Sequence, residues 1–232
     1  MLKYKLSGMF VIELSCKAHP AKLTRRCPIV PVSFVISMNG FQPDRSFQGE
    51  QTMRLQPIEK PKGLMMRIAF WMTRRQFGKV MTPMKVLYPR APGMMKLSYE
   101  IVKFEMKGIR LEPELHYLVT TLASQINGCG FCMDLGRAVA IRHRLGMDKF
   151  NALSEYPTSP LFSHRERAAL AYVEETTRHK RVSDATFEAL RKHCSEREIV
   201  EITWLNAFEN YYNLINLPLE IESDGFCALS QA

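Results

Sequence analysis

From residue 100 onward the chain is divided by helix start and stop signals, and no alternating strand pattern competes with them. Pro113 suits a first helical position. Leu115, Leu118, Val119, Leu122 and Ile126 follow it at spacings of three and four, which predicts one apolar stripe. Asn127-Gly128 reads as the end of that helix, and the next runs from about Cys129 to Leu145. Leu135, Ala138, Ile141 and Leu145 face its core side, and Gly146 is the residue just past its end. Ser163 with Glu166 forms a capping-box pattern for a helix through Thr177, and Ser183 or Asp184 caps another. Ser195 with Glu198 opens a long final helix that stops at Asn216 to Pro218. The predicted fold class is all-α. With 232 residues, 46% of them hydrophobic, one substantial core with an appendage is expected.

Charge divides the chain unevenly. Residues 1–99 hold 17 Lys and Arg against 4 acids, whereas residues 100–232 hold 15 against 19. A basic N-terminal part of this kind suits an anionic surface, nucleic acid or the acidic body of its own or a neighbouring subunit. No nucleic-acid motif is present, and the aromatics are not interleaved with the basic residues as a stacking platform requires, so a nucleic-acid partner is not expected. The expected divisions are residues 1–52, residues 53–99 and residues 100–232. The first, with little helical periodicity, reads as a disordered extension or as translation upstream of a true start at Met53. Lys3 and Lys5 before a short apolar run faintly resemble a signal peptide, but Glu13 interrupts the run and no small-x-small cleavage site follows. Residues 53–99 read as a basic, Met-rich helical arm. Ile68, Trp71, Met72 and Phe77 make a loose amphipathic pattern there, which fits core or subunit packing better than an interfacial membrane helix.

The chemistry is concentrated in Asn127-Gly128-Cys129-Gly130-Phe131-Cys132-Met133-Asp134, a Cys-x-x-Cys pair at a helix start. Thiols three residues apart can close a small disulfide ring, and first-turn N–H groups with the helix dipole favour a thiolate. The other cysteines, Cys16, Cys27, Cys194 and Cys227, stand alone and read as packed or incidental thiols. With one Cys-x-x-Cys and no second ligand pair, neither a structural zinc nor a disulfide-stapled secreted scaffold is expected. A reducing, cytoplasmic location follows.

Ser124 to Asp134 resembles the signature of the AhpD-like, carboxymuconolactone decarboxylase family of alkylhydroperoxidase-type proteins. Phe162-Ser163-His164-Arg165-Glu166-Arg167-Ala168-Ala169-Leu170 resembles that family's downstream segment, and Glu198 to Ile202 with Asn206 to Asn213 continues the match, over roughly residues 75–220. The resemblance implies a homo-oligomeric helical bundle with thiol-dependent oxidoreductase activity, reducing a hydroperoxide or exchanging a disulfide substrate. Cys132 would attack a hydroperoxide oxygen, Cys129 would resolve the sulfenic acid into a disulfide, and a dithiol reductant protein would reopen it. No metal, flavin, haem or other cofactor enters such a mechanism.

The departures from the family pattern are specific. Its redox motif carries a Glu twelve residues before the first Cys and a His four after the second, which together relay a proton. Here those positions hold Tyr117 and Gly136. Positioned proton transfer is worth about a hundred- to ten-thousand-fold in rate, so an unreplaced relay implies a weak peroxidase. Tyr117 shares a helix face with Thr121 and Ser124 and is the candidate substitute. Glu114, one turn earlier, is displaced by about 4.5 Å along the axis, and His143 lies about 16 Å beyond Cys132. His116 projects about 100° from Tyr117 and is expected at the surface or an interface. Asp134 is either a supporting site residue or a solvated first-turn acid. Two other readings compete: a non-redox enzyme of the superfamily, such as a decarboxylase acting on a lactone, or a non-catalytic helical oligomer.

Overall fold

The computed structural model describes residues 53–229, which include only helices among their regular elements. Expectations that fall on residues 1–52, including Cys16 and Cys27, lie outside the described residues. In chain order the helices are α1 (Leu64–Phe77), α2 (Thr82–Val86), α3 (Pro92–Lys107), α4 (Pro113–Asn127), α5 (Gly130–Arg142), α6 (Met147–Asn151), α7 (His164–His179), α8 (Asp184–Arg191), α9 (Glu196–Asn216) and α10 (Phe226–Leu229). Short 3-10 turns cover Leu153–Glu155 and Leu217–Leu219.

The apolar stripe of α4 makes it the central helix. Leu115, Leu118, Val119 and Leu122 are buried against Leu170 and Val173 of α7, Leu190 of α8, and Ile202 and Leu205 of α9. Each such side chain removed from water contributes roughly 1.5–3 kcal/mol before entropy is counted. The expected capping boxes close at Ser163/Glu166 and Ser195/Glu198, and Ser183 caps α8. In both boxes the hydroxyl accepts from the third-position N–H while the Glu side chain returns the bond to the cap.

Three expectations need correction. The helix after the thiols ends at Arg142, and the left-handed residue beyond it is Arg144 at φ 57°, not Gly146. Gly146 instead has φ −63° and precedes α6, because the chain turns early enough for Met147 to start a new helix. The boundary placed at 99/100 falls inside α3, which runs through it without a break. Charge composition changes there, but the backbone hydrogen bonding does not. In the Met-rich region Met66 and Phe70 are buried, while Leu64, Met65, Ile68, Trp71 and Met72 of α1 are exposed. Among the described residues no helix is long and apolar enough to cross a membrane.

Candidate functional site

Backbone geometry at the end of α4 places the thiols. Gly128 takes φ 73°, a left-handed conformation that costs glycine little, and donates to the Gln125 carbonyl while Cys129 N–H donates to the Ser124 carbonyl at 2.9 Å. This Schellman ending reverses the chain within two residues and makes Cys129 the residue that caps α5. Cys132 follows one turn later, so the two Sγ atoms stand 2.7 Å apart and share a hydrogen bond.

The sulfurs differ in access. Cys129 is 1% exposed and packs with Phe131, Ala138 and Phe226, whereas Cys132 opens on a cavity of about 560 Å³. Their pKa values shift in opposite directions. The hydrogen bond from its partner, then the backbone N–H of Cys132, lower the Cys129 pKa against its burial. The same hydrogen bond and burial push the Cys132 pKa up.

Met81, Met84, Leu87, Val102, Ile109 and Leu135 give the cavity an apolar wall. Its residues come from the Met-rich region as well as from α3, α4, α5 and α9. On the α4 side Tyr117 stacks on His116, with ring centroids 4.8 Å apart, and its hydroxyl lies 3.3 Å from His143 Nε2. His116 thus lines the cavity rather than an outer surface, and burial, then His143, hold its pKa down to about 4. His143 is too far along α5 for Cys132 but within reach of Tyr117, a pairing that distances measured only to the thiols do not reveal.

Gly136 and Thr121 face each other on the same wall. A Cβ built on Gly136 would meet Thr121 Oγ1 at 3.1 Å, and that buried hydroxyl has no hydrogen-bond partner. Ser124, the third residue of the strip, is also buried and donates instead to Glu209.

Glu209 was not legible as a site residue. It projects from α9 into the cavity and accepts from Ser124 Oγ and, at 2.8 Å, from Asn213 Nδ2; its charge acts on both thiols, raising their pKa values. Burial pushes its pKa up despite these bonds. Across the cavity, burial and the Glu209 charge raise the Glu105 pKa to about 7. One signal was available: Asn206, Glu209, Asn213 and Asn216 recur at helical spacing on the core side of α9, where apolar residues are the norm.

Two expected supporting residues are elsewhere. Glu114 pairs with Lys149 Nζ at 2.8 Å, outside the cavity lining. Asp134 is neither solvated nor turned toward the thiols: it is 8% exposed and accepts from the backbone N–H groups of Phe226 and Cys227 at 2.8 and 2.7 Å. It ties the C-terminal segment to α5. Among the described residues no group of three or more His, Cys, Asp and Glu side chains could hold a metal ion.

No protein-family model matches the chain. It is 31% identical over 182 residues to the uncharacterized protein YnjA of Escherichia coli strain K12, covering 77% of this chain and 98% of YnjA. Among solved structures, a protein of unknown function from Agrobacterium tumefaciens, described as a putative antioxidant defence protein AhpD, is 29% identical with a TM-score of 0.56. That match covers 59% of this chain and 94% of that one. The chain belongs to the AhpD-like family. A peroxidase-related protein from Silicibacter sp. TM1040 shares the fold at 19% identity and TM-score 0.67, covering 78% of this chain and 97% of its own. The debrominase Bmp8, in complex with 2,3,4-tribromopyrrole, does so at 17% and 0.67 with the same coverage. The fold is thus shared with a protein described as a debrominase, and fold alone does not assign an activity.

Proposed function

We propose that this AhpD-like protein is a thiol-dependent peroxidase that works through Cys129 and Cys132. The observation that carries the reading is the asymmetry of the pair: sulfurs 2.7 Å apart, one sealed in the core and the other open to a cavity. Cys132 Sγ attacks the terminal oxygen of a hydroperoxide, the O–O bond breaks, and an alcohol leaves as Cys132 becomes a sulfenic acid. Cys129 Sγ then attacks Cys132 Sγ, water leaves, and the disulfide forms. A dithiol protein returns two electrons and two protons. The shared hydrogen bond supports the resolving step, because that sulfur needs little displacement to form the bond. The methionine- and leucine-lined cavity supports an organic hydroperoxide with an apolar substituent over hydrogen peroxide, which gains nothing from such a wall.

The test is NADPH-coupled consumption of cumene hydroperoxide by the full chain with a general dithiol-reducing system, beside Cys132→Ser. Turnover by the wild type alone, with a peroxide-dependent Cys129–Cys132 disulfide seen by mass spectrometry, is expected. No disulfide and no turnover would reject the reading.

One second reading has a specific observation behind it. The apolar cavity with Tyr88, Tyr211 and Tyr212 in its lining also suits a halogenated aromatic ring. The same dithiol would supply the two electrons that convert a carbon–halogen bond to carbon–hydrogen and halide. Halide release from a bromopyrrole or bromophenol, coupled to disulfide formation, would mark it.

A further inference from the structure

Cys132 must lose its proton to act as a nucleophile, and the departing alkoxide must gain one. Two side chains hydrogen-bond Cys132 Sγ, Cys129 and the Asn216 amide at 3.4 Å, and Glu209 faces the same cavity beside them. Asn216 can only donate. Cys129 is needed as the second sulfur. Tyr117 turns its hydroxyl to His143, and Gly136 has no side chain. Glu209, held by Ser124 and Asn213 on the wall of that cavity, is a carboxylate that can accept a proton and give it back.

We propose that Glu209 is the catalytic acid–base of this site, exchanging the proton of Cys132 with the leaving oxygen of the peroxide. The inference rests on the thiol-peroxidase reading above. In the first half-step the Glu209 carboxylate takes the S–H proton as Cys132 Sγ bonds to the terminal peroxide oxygen. In the second the O–O electron pair goes to the inner oxygen, which takes the proton from the Glu209 carboxylic acid. The products are Cys132 sulfenic acid, an alcohol and the carboxylate as it began. Ser124 Oγ and Asn213 Nδ2 hold the carboxylate in place, and Asn213 is in turn held by Asn127 Nδ2 at 2.8 Å. Ser124 and Asn127 belong to the same α4 ending that positions Cys129, so base and thiols share one rigid frame.

The duty has moved between helices. Relatives with the full family motif would place it on the α4 and α5 positions held here by Tyr117 and Gly136; this chain supplies it from α9. Other titratable groups face the same space: Glu105 from α3, His116 and Tyr117 from α4, His143 at the end of α5, Tyr88 after α2, and Tyr211 and Tyr212 on α9. Of these, Glu105 has its pKa raised by burial first and by the Glu209 charge second, so its titration also enters the pH profile.

The experiment follows the rate of Cys129–Cys132 disulfide formation after mixing with cumene hydroperoxide, by quenched flow and mass spectrometry, across pH 5 to 9. It uses wild type, Glu209→Gln, Glu209→Ala and Cys132→Ser. Gln keeps the shape and accepts from Ser124 and Asn213, so folding is preserved. The expected result is a loss of a hundred-fold or more in Glu209→Gln, with the acid limb of the profile abolished, and partial recovery of Glu209→Ala by added formate. Alkylation of Cys132 by iodoacetamide should lose the same limb without peroxide. Wild-type disulfide formation with Glu209→Gln within about three-fold and the profile unchanged overturns Glu209 and leaves the peroxidase reading intact. Failure of the wild type itself to form the disulfide overturns both.

Discussion

At the contact of α4 with α9, polar side chains are tied together: Asn127 donates to Asn210 and Asn213, and Asn213 donates to Glu209 and Ser124. One turn away, where α4 meets α5, Thr121 keeps an unpartnered buried hydroxyl opposite a glycine. Both contacts border Cys132 and both are largely shielded from water. Burying polar groups costs free energy unless they bond, so the bonded network holds its members in place while the bare contact leaves one hydroxyl unsatisfied. The comparison sets the polar wall from α9, which carries Glu209, against the α4–α5 wall of the same cavity, where Tyr117 and Gly136 stand, and the Glu209 proposal assigns the proton transfer to the first.

The sharpest way to break the comparison is to remove the centre of the network. Asn213 is 0% exposed, and Asn213→Leu keeps its approximate size while leaving Asn127 and Glu209 each short of a bond. We expect a loss of about 2–4 kcal/mol in unfolding free energy by chemical denaturation. Thr121→Val at the bare contact should cost nothing or stabilise the protein, since the hydroxyl removed has no partner to strand. Equal losses for the two variants would mean that the networks are not different in kind.

A smaller effect is expected from rebuilding the family's histidine. Gly136→His places a Cβ 3.1 Å from Thr121 Oγ1, tighter than side chains normally approach. The single variant should lose about 1–2 kcal/mol through overpacking, and adding Thr121→Ala should recover most of it in a thermal melt. A single variant as stable as wild type would show that α4 and α5 separate easily and that the contact is not what excludes the ring.

How much of this was legible depended on whether backbone or burial decided the matter. The Gly128 turn, the two capping boxes and the α4 stripe follow from local rules, because each involves residues within four positions of one another. The thiol pair was legible for the same reason. The Glu209 site was not: it joins α9 to α4 and α5 across 85 residues of sequence, and an acid on a helix reads as solvated until its neighbours are known. Asp134 misled in the same way, its two backbone partners lying 92 and 93 residues away. Helix angle turns His116 about 100° from Tyr117, yet it lines the cavity together with residues of α3 and the Met-rich region. Periodicity describes a helix face; what covers that face is a tertiary fact.

The smallest effect tests whether Glu105 and Glu209 share the cavity as like charges. Glu105 has a folded pKa raised to about 7, by burial first and by Glu209 second, against about 4.3 for an unfolded glutamate. Well below about 4.3 the carboxyl is protonated in both states and contributes nothing to the pH dependence. Between about 4.3 and about 7 the folded protein holds the proton more tightly than the unfolded chain. Stability therefore falls as pH rises through that window and stays reduced above it. Glu105→Gln removes the penalty, so the variant should match wild type near pH 4 and exceed it by on the order of 1 kcal/mol at pH 8, after allowance for water at the partly exposed side chain. Melting temperatures across that range decide the point. In Glu209→Gln the Coulombic part of the penalty is gone already, so a second substitution at Glu105 should gain less than it does in wild type. If the two gains are simply additive, the carboxyls titrate independently and only burial links them to the cavity.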